Sequence, residues 1–580
     1  MVARKRSLSL LIAAASVAAI GALAVSHHVG AHDDHDTWHP DGGRQRGSRF
    51  LSTGSVIFFH PDGTGLNHWH AARLYFVGPD GRLNWDRLPY MAVYRGHMAN
   101  VLTGTSNGGA TTHAFGYKVD GLGSFGKDGD GNLGLDREIR SLSGYPGSLM
   151  REAANAGIPV GIVNDGHIAE PGTGAFLAEV GNRDNWQEIT RQIIQGRPGK
   201  NDVTPWVIMG GGEADTLPAG ATLTHRNVNQ ERGAPLNSRL SLRTDNLNLQ
   251  AEWNAKGSGD LSNDPLRFDD YVVVRTRAEF ERLKAALAAN KRYAPRVLGL
   301  FAFQDIFNDR NEQDLINRGF VRPEMAVGET GPAPKKQSRI VLWGDYDPAQ
   351  PGYNPPSFAE MVEVAIEILD RAADQQRHPA QRRFFLVAEQ EANDNFGNND
   401  NAVGMLHAMR DTDNAIGVAL RYLRRNPRTL ILTAADSDAG GMQVLAPNKA
   451  GVTPPTNVLA PGQAPDIAGT VSANPSAASA TGLPSAAAVN NFLDGVEGRQ
   501  SPLFVSEPDQ FGQRMQFGIA WPGTPDFAGG ILTRAIGLNA ELLLSTFSQR
   551  FDNIDVYRMM YLTLFGRLLD YPSGQRAPSR

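Results

Sequence analysis

Two residues that could do chemistry, an aspartate and a serine, each lie in a glycine-rich turn. Asp62 stands in HPDGTG directly after the apolar run SVIFF, and Ser106 precedes Asn-Gly-Gly in LTGTSNGGATTHAFGYKV. An Asp-Gly pair is an ordinary turn, and a serine at a helix start is also a good N-cap. The free N–H groups of a helix start attract oxyanions, so a serine there could equally attack a bound phosphate.

Further carboxylates follow two later apolar runs, FFLV and TLIL. Carboxylates this dense repel one another unless a cation or solvent relieves the repulsion. A metal site is therefore the favoured interpretation, and a solvated acidic rim is the alternative. The acidic residues concerned are Glu389, Glu391, Asp394 and Asp400 after the first run, and Asp436 and Asp438 after the second.

A candidate for binding an anion lies in the loop VNDGHIAEPGTGAFLAEVGNR. This loop carries Asp165, His167 and Glu170 and ends at Arg183. A guanidinium group matches tetrahedral oxyanions with two parallel hydrogen bonds, although most arginines are solvated surface residues. Arg183 is therefore a candidate phosphate clamp.

The elements that must position these residues alternate between short apolar runs and amphipathic stretches. The runs predict buried strands and the stretches predict helices. Such alternation predicts an α/β fold, a three-layer sandwich in which a large, mostly parallel sheet is flanked by helices and carries its chemistry beyond the carboxyl ends of the strands. The predicted strands are 55–59, 159–163, 206–209, 340–343, 384–387 and 429–432, and the predicted helices include 358–373 and 402–424.

Composition narrows the class of protein. The chain has 580 residues, 41% of them hydrophobic, and a net charge of −5, which exclude a disordered protein and give no basic surface for DNA, RNA or an anionic membrane. It contains no cysteine, so disulfides, thiolate metal sites and a cysteine nucleophile are excluded. We expect one domain over 50–570, with surface insertions at about 217–264 and 446–503.

The N-terminus predicts export to the periplasm or the medium. A basic head, MVARKR, precedes an apolar run over 7–25, and small residues follow it, which is typical of a cleaved signal peptide over 1–31. The alternative is an uncleaved membrane anchor, because the run approaches membrane-spanning length. The polar segment 32–49 is expected to be flexible. No later run is long and apolar enough for stable membrane insertion.

Taken together and in order, seven segments resemble the alkaline phosphatase family. They are SVIFFHPDGTG, GTSNGGATTHAFGYK, AEPGTGAFLAEVGNR, WVIMGGG, FFLVAEQEANDNFGNN, LILTAADSDAGG and FDNIDVYRMM. The match spans roughly 55–560 and leaves both insertions unaligned. The resemblance implies an alkaline-phosphatase-like fold, phosphorylation of Ser106, phosphate binding by Arg183, and a homodimer.

At several of the family's metal-ligand positions, this chain has a different type of residue. Asn398 and Ser437 stand where the family has histidines, and a third histidine is lost because the last one in the chain is His407. The family implies Zn²⁺, whereas an oxygen-rich set favours Mg²⁺, Ca²⁺ or Mn²⁺. Asp438 and Glu170 could add further oxygens. The metal-binding residues implied by the resemblance are Asp62, Ser106, Glu389, Asp394, Asn398 and Asp436.

The sequence thus predicts an exported, metal-dependent phosphomonoesterase that hydrolyses small-molecule phosphate esters through a phosphoserine. A phosphodiesterase of the same superfamily is one alternative, because an insertion could shape a pocket for a second ester group. A non-catalytic relative that binds phosphate or metal is the other. A sulfatase is excluded, because TSNGG lacks the Cys/Ser-x-Pro-x-Arg context that such enzymes need.

The oxygen-rich ligand set generates a prediction about metal preference. Protein purified without chelator should contain no stoichiometric, tightly held zinc, and Mg²⁺, Ca²⁺ or Mn²⁺ should activate the metal-free protein more than Zn²⁺ does, because carboxylate and amide oxygens suit harder ions. Elemental analysis and a phosphatase assay across the four ions would measure this. Stoichiometric zinc bound tightly at the cluster would contradict the interpretation.

Overall fold

The computed structural model describes residues 52–573 with internal gaps. The predicted signal peptide 1–31, the polar segment 32–49 and Asp400 lie outside the described residues, as does most of the predicted insertion 446–503. The gaps are 122–124, 130–135, 228–230, 236, 308, 312–337, 341–353, 376–381, 399–400, 446–457, 460–492, 496–497, 500–503, 523–524 and 548–550.

Strands in the described part of the chain form one large sheet and several small ones. The large sheet has ten strands in the order β20-β2-β19-β10-β1-β9-β3-β4-β6-β5. Within it only β19 runs antiparallel to its neighbours, which confirms the predicted mostly parallel sheet. The strands are β1 (Ser55–Pro61), β2 (Tyr90–Arg95), β3 (Val160–His167), β4 (Val207–Gly211), β5 (Tyr271–Val274), β6 (Arg296–Leu300), β7 (Asp309–Asn311), β8 (Ser338–Ile340), β9 (Phe385–Gln390), β10 (Thr429–Thr433), β11 (Asp438–Ala439), β12 (Gln443–Leu445), β13 (Val458–Leu459), β14 (Leu493–Gly495), β15 (Gly498–Arg499), β16 (Phe504–Val505), β17 (Arg514–Ala520), β18 (Asp526–Phe527), β19 (Leu532–Gly537) and β20 (Phe551–Asp552).

Helices cover both faces of the large sheet. Along β1, Val56 and Phe58 belong to one buried cluster, and Ile57 and Phe59 belong to the other, because successive side chains of a strand point to opposite faces. This arrangement confirms the predicted three-layer sandwich. The helices are α1 (Leu66–Val77), α2 (Ser106–Phe115), α3 (Leu149–Asn155), α4 (Pro171–Gly174), α5 (Trp186–Gln195), α6 (Leu249–Asn254), α7 (Arg277–Ala289), α8 (Phe358–Asp374), α9 (Ala392–Asn398), α10 (Ala402–Arg425) and α11 (Asn553–Phe565).

Each face has its own set of helices. Side chains of α2, α3, α5 and α11 pack in the cluster that contains Phe58. Side chains of α1, α7, α8 and α10 pack in the cluster that contains Phe59. Among the described helices, none is both long and apolar enough to cross a bilayer.

The register of three adjacent parallel strands gathers their carboxyl ends. Pro61 of β1 lies beside Gln390 of β9, and Phe59 of β1 lies beside Thr433 of β10. The loops that follow these strands therefore leave the sheet at the same edge, which is where ligands bind in open parallel sheets.

Most strand and helix predictions are confirmed, and one strand is placed elsewhere. Five of the six predicted strands form β1, β3, β4, β9 and β10, and the two predicted helices form α8 and α10. Of 340–343, only Ile340 is described, and it ends β8, which pairs with β7 in a separate two-stranded sheet. Two strands of the large sheet that were not predicted are β5, a four-residue strand at the sheet edge, and β6 beside it.

The predicted insertions are attached to the fold in different ways. Within 217–264, Arg243 Nη1 donates to the carbonyl oxygens of Gln187, in the first turn of α5, and Asp215. Within 446–503, the short strands β13 and β14 pair with β17. The division of the chain into one domain with two insertions remains a prediction.

Candidate active site and metal centre

The predicted nucleophile is the first residue of a buried helix. Ser106 opens α2 and is 6% exposed. The capping role belongs to its neighbour, since Thr105 Oγ1 accepts a hydrogen bond from the Gly108 N–H at 3.2 Å and donates one to the Gly121 carbonyl at 2.6 Å. Ser106 is therefore not the N-cap, and it stands where the helix start favours an anion.

Asp436 packs directly against this helix. A Cβ atom at Gly109 would lie 2.6 Å from Asp436 Cβ, and one at Gly104 would lie 2.2 Å from the Asp436 carbonyl oxygen. Both contacts are closer than real Cβ atoms allow, so the two glycines permit the approach. The structure thus brings the Ser106 helix and the loop after β10 together.

Asp62 and Asp436 form a buried carboxylate pair around one backbone N–H. The Gly63 N–H donates to Asp62 Oδ1 at 2.9 Å and lies 3.4 Å from Asp436 Oδ1. Both Oδ2 atoms are buried and have no hydrogen-bond partner among the described residues. Burial, together with the nearby Asp62, raises the pKa of Asp436 well above its usual value. Buried carboxylates without partners are costly, so this pair is suited to a cation.

Asp394 and Asn398 lie on the other side of Gly63. A Cβ at Gly63, whose φ is +57°, would lie 2.6 Å from Asp394 Oδ1. Asn398 Nδ2 donates to Asp394 Oδ2 at 2.8 Å. Asp394 Oδ1 and Asn398 Oδ1 are both buried and lack a hydrogen-bond partner in the described part of the chain. Four predicted ligands, Asp62, Asp394, Asn398 and Asp436, are therefore gathered around one glycine turn.

Glu389 lies beside this group, but its carboxylate is already hydrogen-bonded. The Gly172 N–H donates to Oε1 at 2.8 Å, and Oε2 accepts from the Thr173 N–H, the Thr173 hydroxyl and Asn164 Nδ2. These bonds fasten α4, in the loop that leads to Arg183, to the end of β9. An oxygen of Glu389 also lies within 4.8 Å of oxygens of Asp62 and Glu391. Its role as a metal ligand remains a prediction.

Arg183 points toward the carboxylates. Its Nη2 lies 3.4 Å from Glu170 Oε2, and its side chain is 35% exposed. Burial disfavours its charge, but the carboxylates of Glu170, Glu391 and Asp62 outweigh this effect and raise the pKa of the guanidinium. A fixed, partly exposed cation at the rim can hold the non-bridging oxygens of a phosphate.

His60, which was not among the predicted site residues, lies within the carboxylate group. Its Nδ1 is 3.6 Å from Glu389 Oε1, and its Nε2 is 3.8 Å from Asp436 Oδ1. Burial by itself would lower the pKa of His60. A hydrogen bond with Glu389 and the negative charges of Asp62, Glu389 and Asp436 outweigh burial and raise this pKa to about 9. The signal was available, because His60 lies in β1 two residues before Asp62, which follows the strand directly, and residues two apart along a strand share a face.

Asp526 was also missed, and the sequence carried little sign of it. Asn398 Nδ2 lies 3.3 Å from Asp526 Oδ1. Asp526 begins β18, which pairs antiparallel with β11 in the loop after β10, so that Ala439 lies opposite Asp526. This pairing joins segments that are distant in the chain, and neither a motif nor an apolar run marks it.

The contact between Gly109 and Asp436 generates a prediction. Gly109→Ala should lower kcat/KM by about 10²-fold, because the added methyl group must separate the Ser106 helix from Asp436, and a displacement of about 1 Å is enough for such a loss. A helix interior by itself would gain about 1 kcal/mol from this change. Steady-state kinetics and thermal melts would measure both effects.

The matched control is Gly108→Ala, whose added Cβ would lie 2.9 Å from the side-chain ends of Met98 and Thr105 and 3.3 Å from Gly121 Cα, and none of these three nearest atoms belongs to Asp436. We expect this variant to retain most of its activity. An equal loss in the two variants would show that the contact with Asp436 is not what matters.

Comparison with known proteins identifies the family of the chain. The family model for alkaline phosphatase matches residues 54–479. A tissue-nonspecific alkaline phosphatase from Gallus gallus is 25% identical over 413 residues, which cover 66% of this chain and 63% of the relative, so the match spans less than two thirds of that protein. A streptomycin-6-phosphate phosphatase from Streptomyces griseus is 27% identical over 398 residues, covering 66% of this chain and 73% of the relative.

Solved structures share the fold. The alkaline phosphatase from the Antarctic bacterium TAB5 superposes with a TM-score of 0.51 at 15% identity, covering 89% of this chain and 99% of the other. The alkaline phosphatase from Thermus thermophilus superposes with a TM-score of 0.53 at 17% identity, covering 93% and 96%. With the family model matching most of its length, the chain belongs to the alkaline phosphatase family.

Proposed function

We propose that this protein is an exported, metal-dependent phosphomonoesterase that acts through a phosphoserine on Ser106. The observation that carries the proposal is the convergence of unpartnered carboxylate oxygens of Asp62, Asp394 and Asp436 beside the helix that Ser106 opens. Family membership supports phosphatase activity in general. The name of the Streptomyces griseus relative favours a small phosphate monoester as the substrate class.

The residues present fit divalent cations. Asp62, Asp436, Asp394 and Asn398 would hold them, because each offers a buried oxygen that has no partner among the described residues. Bound cations would supply neutralisation of phosphate charge and a lower pKa for the attacking hydroxyl. We propose Mg²⁺, Ca²⁺ or Mn²⁺, which prefer such oxygen ligands.

The protein groups act on the ester in two displacements. Arg183 holds two non-bridging oxygens, and the first N–H groups of α2 orient the phosphate over Ser106. Ser106 Oγ bonds to phosphorus as the bond to the ester oxygen breaks, and the serine proton ends on the departing alcohol in the net balance. Water then attacks the phosphoserine, the bond between phosphorus and Oγ breaks, one proton of the water returns to Oγ in the net balance, and inorganic phosphate leaves.

Export, a homodimer and the substrate class are further parts of the proposal. Export rests on the N-terminal sequence, and the homodimer rests on the resemblance. A phosphodiesterase remains the alternative within catalysis, and comparing hydrolysis of a monoester with that of a diester separates the two. A non-catalytic relative would bind phosphate or metal without turnover.

The proposed role of Ser106 as the nucleophile can be tested by removing its hydroxyl group. Ser106→Ala should abolish the phosphoenzyme and lower kcat by about 10³-fold or more, because the first displacement then has no attacking oxygen. Acid-quenched labelling with a ³²P-labelled monoester, together with steady-state kinetics, would measure this. Ser262→Ala, at an exposed serine far along the chain, is the control and should behave as the wild type. Full turnover by Ser106→Ala would reject the proposal.

The clamp assignment predicts a difference between two substitutions. Arg183→Ala should lower kcat/KM by about 10- to 100-fold and weaken inhibition by inorganic phosphate, because charge-assisted hydrogen bonds worth about 1.5–3 kcal/mol are lost. Arg183→Lys should recover part of this, since it keeps the charge but not the planar fork. Arg421→Ala removes an exposed arginine paired with Glu363 and serves as the control. Unchanged phosphate inhibition in Arg183→Ala would contradict the assignment.

A further inference from the structure

A cavity of about 290 Å³ lies at the end of β9, on the face of the sheet that carries the cluster with Phe59. This volume is near the lower limit for a site that binds a small organic molecule. The described residues that line the cavity do not include the metal-ligand candidates Asp62, Asp394, Asn398 and Asp436. The cavity is therefore separate from the group around Gly63.

The walls of this cavity are mostly apolar and come from several segments. Ile306 and Phe307 come after β6, Phe358 begins α8, and Phe396 lies in α9. Each of these residues is 4% exposed or less. The rings of Phe307 and Phe396 pack edge to face, with their centroids 5.7 Å apart. Such walls suit a ligand with an apolar or aromatic body.

Two carboxylates interrupt these apolar walls. Asp165 Oδ1 accepts the Glu391 N–H at 2.7 Å, and Asp411 Oδ2 accepts the Phe358 N–H at 2.8 Å. Burial, together with the charge of Asp411, raises the pKa of Asp165 well above its usual value. Burial also raises the pKa of Asp411 to about 6, although backbone N–H groups at the start of α8 oppose this. Two acids in one apolar cavity are balanced when a positive charge enters it.

Gln390 adds an acceptor that the described residues leave unused. Its Nε2 donates to the Ala408 carbonyl at 2.9 Å, which fixes the orientation of the amide group. Gln390 lines the cavity and is 2% exposed, and its Oε1 is buried and has no hydrogen-bond partner within the described ranges. A buried acceptor without a partner is costly, so a donor group of a ligand would complement it.

The basic residues of the lining lie at the opening of the cavity. His407 and Asn414 are exposed, and Arg410 is half-buried. The Arg410 guanidinium lies over the ring of Phe76 in α1, 5.2 Å from its centroid. Burial lowers the pKa of His407, so this ring is neutral at neutral pH and above. The acids inside the cavity therefore still favour a ligand that brings its own positive charge.

We propose that this cavity binds a small organic ammonium ion, with its ammonium group held by Asp165, Asp411 and Gln390 Oε1 and its apolar body among the phenyl rings. The inference goes beyond the proposed function, because it assigns a second ligand to a second site. An alkylammonium group offers three N–H donors and one positive charge, which matches two carboxylates and an amide oxygen. A bare divalent cation needs six or more oxygen ligands, which these apolar walls do not offer.

Three probes with bodies of similar size test the choice of head group. They are phenethylamine, 2-phenylethanol and phenylacetate, each titrated calorimetrically into the full-length protein at about pH 8, where Asp411 is ionised and an alkylammonium keeps its proton. Saturating Mg²⁺ keeps the amine from the carboxylates around Gly63. The amine should bind about tenfold or more tightly than the other two, because charge-assisted hydrogen bonds are roughly twice as strong as neutral ones.

Two substitutions separate recognition of charge from occupation of the cavity. Asp411→Asn should weaken binding of the amine about tenfold and change that of the alcohol little, since asparagine still accepts the Phe358 N–H but has no charge. Ala408→Leu, at a lining position of α10, should remove binding of both, because the longer side chain fills the cavity. Glu363→Gln changes an exposed acid of α8 that pairs with Arg421, and this charge-matched control should bind as the wild type.

The outcomes decide the proposal whether or not Ser106 forms a phosphoenzyme. It is wrong if phenethylamine does not bind the wild type, if phenylacetate or 2-phenylethanol binds as tightly, or if Asp411→Asn leaves the affinity for the amine unchanged. It is supported if Asp411→Asn weakens the amine selectively and Ala408→Leu removes it. Melting curves without probe show that each variant folds, and if Ala408→Leu melts far below the wild type, the comparison with Asp411→Asn decides alone.

Discussion

The concentration of buried negative charge at one edge of the sheet is the constraint on which the site depends. Asp62, Asp394 and Asp436 meet around Gly63 with oxygens that the described residues leave unpartnered. Each unpartnered buried carboxylate costs several kcal/mol, so their assembly implies compensating positive charge. His60 and Arg183 supply part of it from the protein, and divalent cations are suited to supply the rest.

The sheet and its glycines make this concentration possible. Parallel pairing of β1 with β9 and β10 brings three loops to the same edge. Gly63 lets Asp394 approach the turn after β1, and Gly109 lets Asp436 approach the helix of Ser106. Hydrogen bonds from α4 to Glu389 then fix the loop that ends in Arg183. The surroundings thus hold Ser106, the carboxylates and Arg183 in fixed relation, which is what the proposed phosphoryl transfer would require.

The replacement of imidazole by oxygen changes what the site can bind. Amide and carboxylate oxygens favour hard ions that take six or more ligands, including water, whereas histidines favour zinc at low coordination number. By the resemblance, Asn398 stands where the family has a histidine, and Asp526, at the start of β18, lies 3.3 Å from its Nδ2. Under the proposed function, the preferred metal would differ from the family's while a serine would still attack the phosphate.

The sequence alone determined the fold class and indicated most of the residues that the structure gathers at the candidate site. Apolar runs and helical periodicity report burial directly, and this is why β1, β3, β4, β9 and β10 could be predicted. Asp62, Asp394 and Asp436 could be predicted because each follows such a run. The edge strand β5 was not predicted, although its sequence YVVV is as long and as apolar as the runs at 206–209, 384–387 and 429–432, so its burial was open to the same reasoning.

Tertiary structure alone decided which further groups join the site. Thr105 rather than Ser106 caps the helix, since its Oγ1 accepts the Gly108 N–H. The sequence could not show this, because the choice between two neighbouring hydroxyls depends on the path of the folded loop. Asp526 reaches the candidate site through the pairing of β18 with β11, and sequence periodicity does not predict which distant segments pair. Local patterns specify elements, but the distances between side chains of different elements are set only when those elements pack.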